Sequence, residues 1–226
     1  MSSIVFQNPD IVIADKDHGI PTVPLKRQTS MVGTLLGEVA AACPEILDVK
    51  GRNEWEFGTL HRLDTATSGL VVFARNQRTY DHLQRMQADD RFTKSYTAHV
   101  TESDRLTGKD IPDAWLESLR KGDSVRIESY FRAYGPGSRE VRPIRDIRRS
   151  DNSVKYTTLA KRSGDLFTCT ITRGFRHQIR AHLAWLGFPI LGDALYGEGK
   201  EGETLELDCF SVTFPTPEGS LFSFSR

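Results

Sequence analysis

Short apolar runs bounded by turn-forming residues alternate along this chain and predict strands. Residues 4–6 and 11–13 flank the turn-rich tetrad QNPD, so they predict a hairpin. Residues 70–74 indicate a buried central strand, and residues 93–100 indicate a strand that presents Tyr96 and Ala98 on one face. Further strands are predicted over residues 124–134, 153–161, 166–172, 205–214 and 221–224.

Three segments have helical periodicity instead. Thr29 or Ser30 is expected to cap a helix that contains residues 35–40 and ends near Pro44. Asn76 is expected to cap a second helix, which buries Tyr80, Leu83 and Met86. Residues 176–186 predict a third, with Ile179, Leu183 and Leu186 on its inner face. Strands outnumber helices and do not alternate with them, which favours an α+β fold with a mostly antiparallel sheet.

Composition fits a soluble globular protein. The chain has 226 residues, of which 38% are hydrophobic and 27% charged, so one large domain or two small ones are expected. It has no apolar run of about 18 residues and no basic start followed by an apolar segment, and we therefore expect no membrane association and a cytoplasmic location. Cys43, Cys169 and Cys209 form no C-x-x-C pair, which predicts free thiols.

Charge is distributed unevenly although the net charge is zero. Residues 120–180 contain 15 Lys and Arg against 6 Asp and Glu, a local balance of +9. Nucleic-acid affinity depends on such local basic surfaces. The segment predicts an RNA-facing surface that includes Arg139, Arg142, Arg145, Arg148 and Arg149. The alternative is that these arginines decorate an exposed connector.

Residues 61–76, HRLDTATSGLVVFARN, contain the most distinctive group of candidate catalytic side chains. They place one acid, Asp64, among basic and hydroxyl groups immediately before a buried strand. A fold can hold a reactive carboxylate rigidly at such a position. His61 and His177 suggest a metal site, but no third ligand has a recognised spacing, so no metal is predicted.

This stretch resembles the catalytic motif of RNA pseudouridine synthases of the RluA kind. Residues 94–100, KSYTAHV, are similar to the family's K-x-Y-x-A-x-V strand. Residues 174–180, GFRHQIR, and the following GFPILGD at 187–193 are similar to its closing motif. Residues 11–21 give a fourth, weaker match. The resemblance covers nearly the whole chain and implies a mixed central sheet with a catalytic cleft, flanked by helices and loops.

The resemblance also implies the site residues. Asp64 is then the catalytic nucleophile, or the base of a glycal route. Tyr96 lies beside the target uracil, and Arg180 pairs with Asp64. Structured RNA, ribosomal or transfer, is the expected partner. The isomerisation has no redox or hydrolytic step, so no cofactor is expected. We further predict a single catalytic domain over residues 1–226, without a separate N-terminal RNA-binding domain, and a monomer.

Other residues have weaker assignments. The Arg of HRLD, Arg62, is expected to enter the space left by the flipped base, to contact a phosphate or to form a structural ion pair. His61 and His177 are expected to support the cleft or contact RNA. Phe175 occupies a position where the family has Arg, and the adjacent Arg176 is expected to replace its phosphate contact. Asp17 similarly replaces a Pro.

Each assignment has an alternative. Asp64 can be an Asx-turn residue, Arg180 a solvent-facing helix residue, and Tyr96 an ordinary residue of sheet packing. As a whole, the chain can be a catalytically inactive RNA-binding protein on the same scaffold, or a hydrolase that uses His61 and Asp64 with a metal. The intact set of Asp64, Tyr96 and Arg180 favours the synthase.

Overall fold

The computed structural model describes residues 2–24, 30–103, 111–146 and 154–226. Within these residues it has ten strands: β1 (Ser3–Gln7), β2 (Ile11–Lys16), β3 (Ser68–Ala74), β4 (Thr93–His99), β5 (Ser124–Tyr134), β6 (Glu140–Ile144), β7 (Tyr156–Ser163), β8 (Leu166–Ile171), β9 (Leu207–Pro215) and β10 (Leu221–Ser225). Its α-helices are α1 (Leu35–Ala42), α2 (Gln77–Ala88), α3 (Asp113–Arg120) and α4 (Gln178–Trp185). Two 3-10 helices cover Pro44–Asp48 and Pro136–Ser138. None of the described helices is long and apolar enough to cross a membrane.

The chain forms two compact units. We call Met1–Thr93 together with Asp208–Arg226 the outer unit, and Lys94–Leu207 the central unit. In the outer unit the strand order is β1-β2-β3-β9, with β10 paired to β9. All of these pairings are antiparallel except that of β3 with β9. The predicted N-terminal hairpin and the mixed character of the sheet are therefore confirmed.

Gly69 permits the parallel contact between β3 and β9. It lies opposite Cys209 and has a φ of +112°. A Cβ at this position would come within 2.4 Å of the Cys209 carbonyl oxygen and 2.5 Å of its nitrogen. Only glycine fits here, which gives a structural reason for the TSGL part of the motif.

Helix starts in the outer unit follow local capping chemistry. Asn76 caps α2 as predicted, because its side chain accepts the Thr79 N–H at 2.9 Å. The start predicted for α1 was wrong: Thr34 is the cap, and its hydroxyl accepts the Gly37 N–H at 3.1 Å. Thr29, the other residue expected to cap this helix, lies outside the described residues.

In the central unit the strand order is β4-β8-β7-β5-β6, and every pairing is antiparallel. Strand β5 changes partner along its length: Ser124–Ser129 pairs with β7, and the following residues through Tyr134 pair with β6. Strand β6 was not predicted; it lies in the arginine-rich segment between the strands predicted over residues 124–134 and 153–161. Helix α3 was also not predicted.

Helix α4 is buried on every side, whereas the sequence had predicted one inner face. Two of its polar residues, His182 and Gln178, bind to the sheet. His182, which has no exposed surface, contacts the hydroxyls of Ser129 and Thr158, each at 2.8 Å, and Gln178 donates to the Thr157 carbonyl at 2.9 Å. Burial lowers the pKa of His182 to about 3, so the helix core contains a neutral imidazole.

Candidate active site

The loop that contains Asp64 is the tip of an irregular hairpin leading into β3. Thr59 forms a bridge with Phe73, and the Leu60 N–H donates to the Val72 carbonyl at 3.0 Å. The chain then turns and re-enters the sheet, and the Thr67 N–H closes the turn on the Asp64 carbonyl at 3.0 Å. Asp64 is partly exposed at this tip. Its position directly before a fully buried strand is as predicted.

The N-terminal segment clamps this tip on both sides of Asp64. The Thr22 hydroxyl donates to the Leu63 carbonyl at 3.0 Å and accepts the Leu63 N–H at 3.1 Å. On the other side, the Gly19 N–H donates to the Thr65 carbonyl at 2.9 Å. With both neighbouring peptides held, the tip is preorganised, as a reactive carboxylate requires.

Lys16 adds a buried positive charge to this tip. Only 1% of the residue is exposed, and its Nζ donates to the carbonyls of Asp17 at 2.8 Å, Ile20 at 2.7 Å and Thr65 at 3.1 Å. Burial lowers the pKa of Lys16 to about 8, although the nearby carboxylates of Asp64 and Asp17 oppose that shift. At neutral pH Lys16 is therefore a cation in the electrostatic surroundings of Asp64. Lys16 lies in the weakly matching segment over residues 11–21, but no role was predicted for it.

Raising the pH from 7 to 10 should stabilise the protein relative to a Lys16→Met variant. The folded pKa of about 8 lies below the ordinary value of 10.5, so between these values the unfolded chain retains a proton that the folded protein has released. The cost of burying the ammonium is present below pH 8 and is relieved as the pH rises. Urea unfolding should show the difference growing by about 2 kcal/mol. A difference that does not change with pH would show that folded Lys16 keeps its proton up to its ordinary pKa, as it does in the unfolded chain.

His61 and Arg62 both make structural contacts in the tip. The His61 Nε2 accepts the Val72 N–H at 3.3 Å, and its ring meets Phe92 edge-on at 5.6 Å. Arg62 pairs with the buried Glu56 at 2.9 Å while 56% of its side chain remains exposed. Of the three roles left open for Arg62, the structural ion pair is observed. Entry into the space left by a flipped base and a phosphate contact stay predictions.

Tyr96 lies in the central unit on β4, opposite Cys169 of β8, and is 5% exposed. Lys94 and Ala98 are buried on the same face, which confirms the predicted alternation. The Lys94 ammonium donates to the Thr172 carbonyl at 3.0 Å. Tyr96 therefore occupies a rigid position, and its place beside the target uracil stays a prediction.

Arg180 makes a buried, bidentate ion pair with Asp193. Its Nε and Nη2 each donate to one carboxylate oxygen of Asp193 at 2.8 Å. Burial alone would raise the pKa of Asp193, but these donors and the N–H groups of Tyr196 and Leu195 hold it below its ordinary value. Asp64 is the partner predicted for Arg180, and that pairing stays a prediction. The pairing with Asp193 was not predicted from the sequence.

Tyr196 connects Arg180 to the start of α4 and to β6. The Arg180 guanidinium lies 5.2 Å from the centre of its ring. Its hydroxyl accepts the Val141 N–H at 2.8 Å and lies 3.0 Å from the Nδ1 of His177. His177 has a left-handed backbone and precedes the helix that contains Arg180. His177 thus contacts Tyr196. Its predicted roles, supporting the cleft and contacting RNA, stay predictions.

Phe175 and Arg176 both fix the hairpin formed by β5 and β6. The Phe175 ring stacks on Phe131 of β5, with centroids 4.9 Å apart and planes inclined by 7°. The Arg176 guanidinium donates to the carbonyl of Ser138, in the connection between the two strands, and to that of Glu140, the first residue of β6. The departure from the family pattern at Phe175 thus has a packing explanation. A phosphate contact by the exposed Arg176 stays a prediction.

Metal ligands are not clustered in the part of the chain that the structure describes. No group of three or more His, Cys, Asp or Glu side chains there is arranged to hold an ion. Asp64, His61 and Arg62 belong to the outer unit, whereas Tyr96, Arg176, His177 and Arg180 belong to the central unit.

Comparison with known proteins identifies relatives of this chain. The chain is 26% identical over 199 residues to the uncharacterized RNA pseudouridine synthase YlyB of Bacillus subtilis (strain 168), covering 87% of this chain and 58% of that protein. It is 30% identical over 196 residues to ribosomal large subunit pseudouridine synthase D of Haemophilus ducreyi (strain 35000HP / ATCC 700724), covering 86% and 52%. This chain thus spans little more than half the length of these relatives.

The fold has a counterpart among solved structures. Human RNA pseudouridylate synthase domain containing 1 superposes with a TM-score of 0.66 at 20% identity, covering 100% of this chain and 83% of that one. The α+β pseudouridine synthase fold that was predicted is thereby confirmed. Residues 10–185 match the family model of RNA pseudouridylate synthases, and this chain belongs to that family.

Proposed function

We propose that this protein isomerises uridine to pseudouridine in RNA, with Asp64 as the catalytic carboxylate. The observation that carries the proposal is the position of Asp64 in a clamped tip beside the buried ammonium of Lys16. Membership in the family supports the same reaction. A turn residue with only a structural role does not require a buried cation, which is costly to place in a protein interior.

The reaction breaks the bond between uracil N1 and ribose C1′, rotates the base, and forms a bond from C5 to C1′. C5 loses its proton and N1 takes one up. Atoms and electrons balance without an oxidant, a reductant or a net addition of water. Asp64 either attacks C1′ to form a covalent adduct, or removes a ribose proton to give a glycal. Both routes require the ionised carboxylate, and both remain open.

The remaining roles follow from the resemblance and belong to the proposal. Tyr96 lies against the flipped uracil, and Arg180 pairs with Asp64 and holds its orientation. Arg180 can be positioned for this because Asp193 already fixes two of its nitrogens. Arg62 contacts a phosphate or enters the emptied space with its exposed side chain, while Glu56 anchors it.

The hairpin of β5 and β6 is the surface that we propose for RNA binding. Arg132 and Arg142 are direct cross-strand partners. Arg142 also pairs with Glu140 at 3.9 Å. Two guanidinium groups at one cross-strand position give this surface a local concentration of positive charge that suits a phosphate. Next to them Tyr134 is 47% exposed, and the Arg142 guanidinium lies 3.2 Å from the centre of its ring. A basic surface with an exposed aromatic ring suits single-stranded RNA. Arg148 and Arg149, predicted for the same surface, lie outside the described residues.

Replacing Arg132, Arg139 and Arg142 together by Gln should weaken RNA binding and flatten its salt dependence. Each phosphate contact that is lost lowers the slope of log affinity against log salt by about 0.9 on duplex or about 0.7 on single strands. The matched control replaces three exposed arginines outside the basic segment, Arg78, Arg85 and Arg91, by Gln. Filter binding at several salt concentrations measures both. Equal slopes for the two triple variants would place the RNA elsewhere.

Ribosomal and transfer RNA are both candidates for the substrate. The name of the Haemophilus ducreyi relative refers to the large ribosomal subunit, which favours ribosomal RNA. Comparing modified uridines in a deletion strain with those in its parent tests this directly. A pseudouridine that disappears in the deletion strain and returns with the wild-type gene identifies the substrate. An unchanged map in all stable RNAs would favour an inactive RNA-binding protein.

A further inference from the structure

A cleft in the central unit lies where β5 changes partner. The change occurs after Ser129, which pairs with Tyr156, the first residue of β7. Arg145 and Asp146, which follow β6, and Lys155, which precedes β7, line a cleft here. Its volume is about 420 Å³. Its lining residues are Trp115, Glu128, Arg145, Asp146 and Lys155, and we call it the Trp115 cleft. Its size is within the range of small-molecule sites.

Trp115 provides an aromatic wall whose position is fixed. Its ring meets Trp185 of α4 edge-on, with centroids 6.0 Å apart and planes inclined by 86°. Trp185 is 1% exposed, so this contact anchors Trp115 to the core while Trp115 itself is only partly buried. An anchored aromatic ring that lines a cleft is a surface on which a nucleobase can stack.

Both signs of charge line the same cleft. Arg145 and Lys155 suit a phosphate, whereas Glu128 and Asp146 accept hydrogen bonds from amino groups. The Arg126 side chain, which donates to Glu128 at 2.7 Å, lowers the pKa of Glu128, and Lys155 acts in the same direction. The carboxylates disfavour a bare anion, and the cations disfavour a metal ion. A nucleotide whose base has an amino group fits both kinds of charge, because its phosphate can bind the cations and its amino group can donate to the carboxylates.

We propose that the Trp115 cleft binds one unstacked nucleotide of the substrate RNA, other than the uridine that is isomerised, and prefers a base with an exocyclic amino group. This inference rests on the proposed function for the identity of the substrate. The cleft adjoins the end of β6, whose hairpin has the basic surface described above. An RNA strand on that hairpin can therefore reach it, and the cleft then contributes to the choice of RNA.

Titration of the full chain with CMP and with UMP tests the preference. The two nucleotides differ in the amino group or oxygen at position 4, so they form a matched pair. Trp fluorescence reports binding, and a Trp115→Phe variant assigns the signal among the three tryptophans. We expect CMP to bind at least about fivefold more tightly than UMP. The double change Glu128→Gln and Asp146→Asn should abolish the difference in affinity. Lys155→Met should weaken the binding of CMP and UMP to the same extent.

Several outcomes would overturn the inference. Equal binding of CMP and UMP, or quenching that persists in Trp115→Phe, would remove it. Quenching by inorganic phosphate alone would reduce the cleft to an anion site. Tritium release from RNA by the same preparation separates the two proposals. Tritium release without CMP binding would support the proposed function and show that the cleft inference is wrong. CMP binding without tritium release would support nucleotide binding in the cleft and show that the proposed function is wrong.

Discussion

Replacing Asp193 by Asn should destabilise the protein by about 3–5 kcal/mol, because the change leaves a buried guanidinium without its carboxylate. The Asp193 side chain has no exposed surface, and that of Arg180 is 9% exposed. The carboxylate also accepts the N–H groups of Leu195 and Tyr196 at 2.9 and 3.0 Å. Urea unfolding measures the loss, which should appear as a lower midpoint with an unchanged slope.

A double-mutant cycle separates the ion pair from other effects of this substitution. Adding Arg180→Met should recover part of the loss, since removing both charges avoids leaving one of them unpaired. Glu117→Gln is the matched control, because it breaks an exposed pair with Lys121 whose side chains are 65% and 62% exposed. It should change stability by less than about 0.5 kcal/mol. Equal effects of Asp193→Asn and Glu117→Gln would contradict a buried pair.

Asp64→Asn should reduce turnover at least about a hundredfold while the fold and RNA affinity remain. The substitution preserves size but removes the charge on which both chemical routes depend. The clamps on the tip act on the backbones of Leu63 and Thr65, so they survive the change. Single-turnover kinetics with saturating RNA measures the rate of the chemical steps without the contribution of binding.

Asp17→Asn is the control for this variant. It makes the same chemical change beside Lys16, outside the tip that contains Asp64, and it should leave the rate within a few-fold of wild type. Near wild-type turnover by Asp64→Asn would remove Asp64 from the mechanism. Similar losses of rate in the two variants would indicate that Asp64, like Asp17, affects the reaction only through its negative charge near Lys16.

Local chemistry explains which elements the sequence predicted. The cap at Asn76 depends on a contact three residues away, and the alternation in β4 depends on neighbouring positions of one strand, so both can be recognised without tertiary information. Predictions failed where partners are distant. Strand β6 is defined by its pairing with β5, although its own residues include three charged or proline positions. Helix α4 is buried on every side because sheet hydroxyls satisfy His182.

The candidate site shows the same limit. Motif residues such as Asp64 could be predicted because their sequence context is distinctive. The environment of Lys16 could not, since Lys16 and Thr65 are 49 positions apart in the chain. Asp193 was part of a matched segment, but its pairing with Arg180 depends on the turn after α4. The pattern of hydrophobic and polar residues does not predict the path of such a turn. The packing of Phe175 on Phe131 likewise explains a departure that the sequence could only note.

Tritium release from RNA labelled at uracil C5 tests the central claim most directly, because the C5 proton leaves only when the base is rejoined through that carbon. The assay uses the purified chain, stable RNA from a strain that lacks it, excess EDTA and no added cofactor. We predict release that rises with time, reaches about one tritium per modified uridine and is absent with Asp64→Asn. RNA that binds the wild-type protein but releases no tritium, or release that requires a restored metal, would contradict the assignment of this chain as a metal-independent pseudouridine synthase.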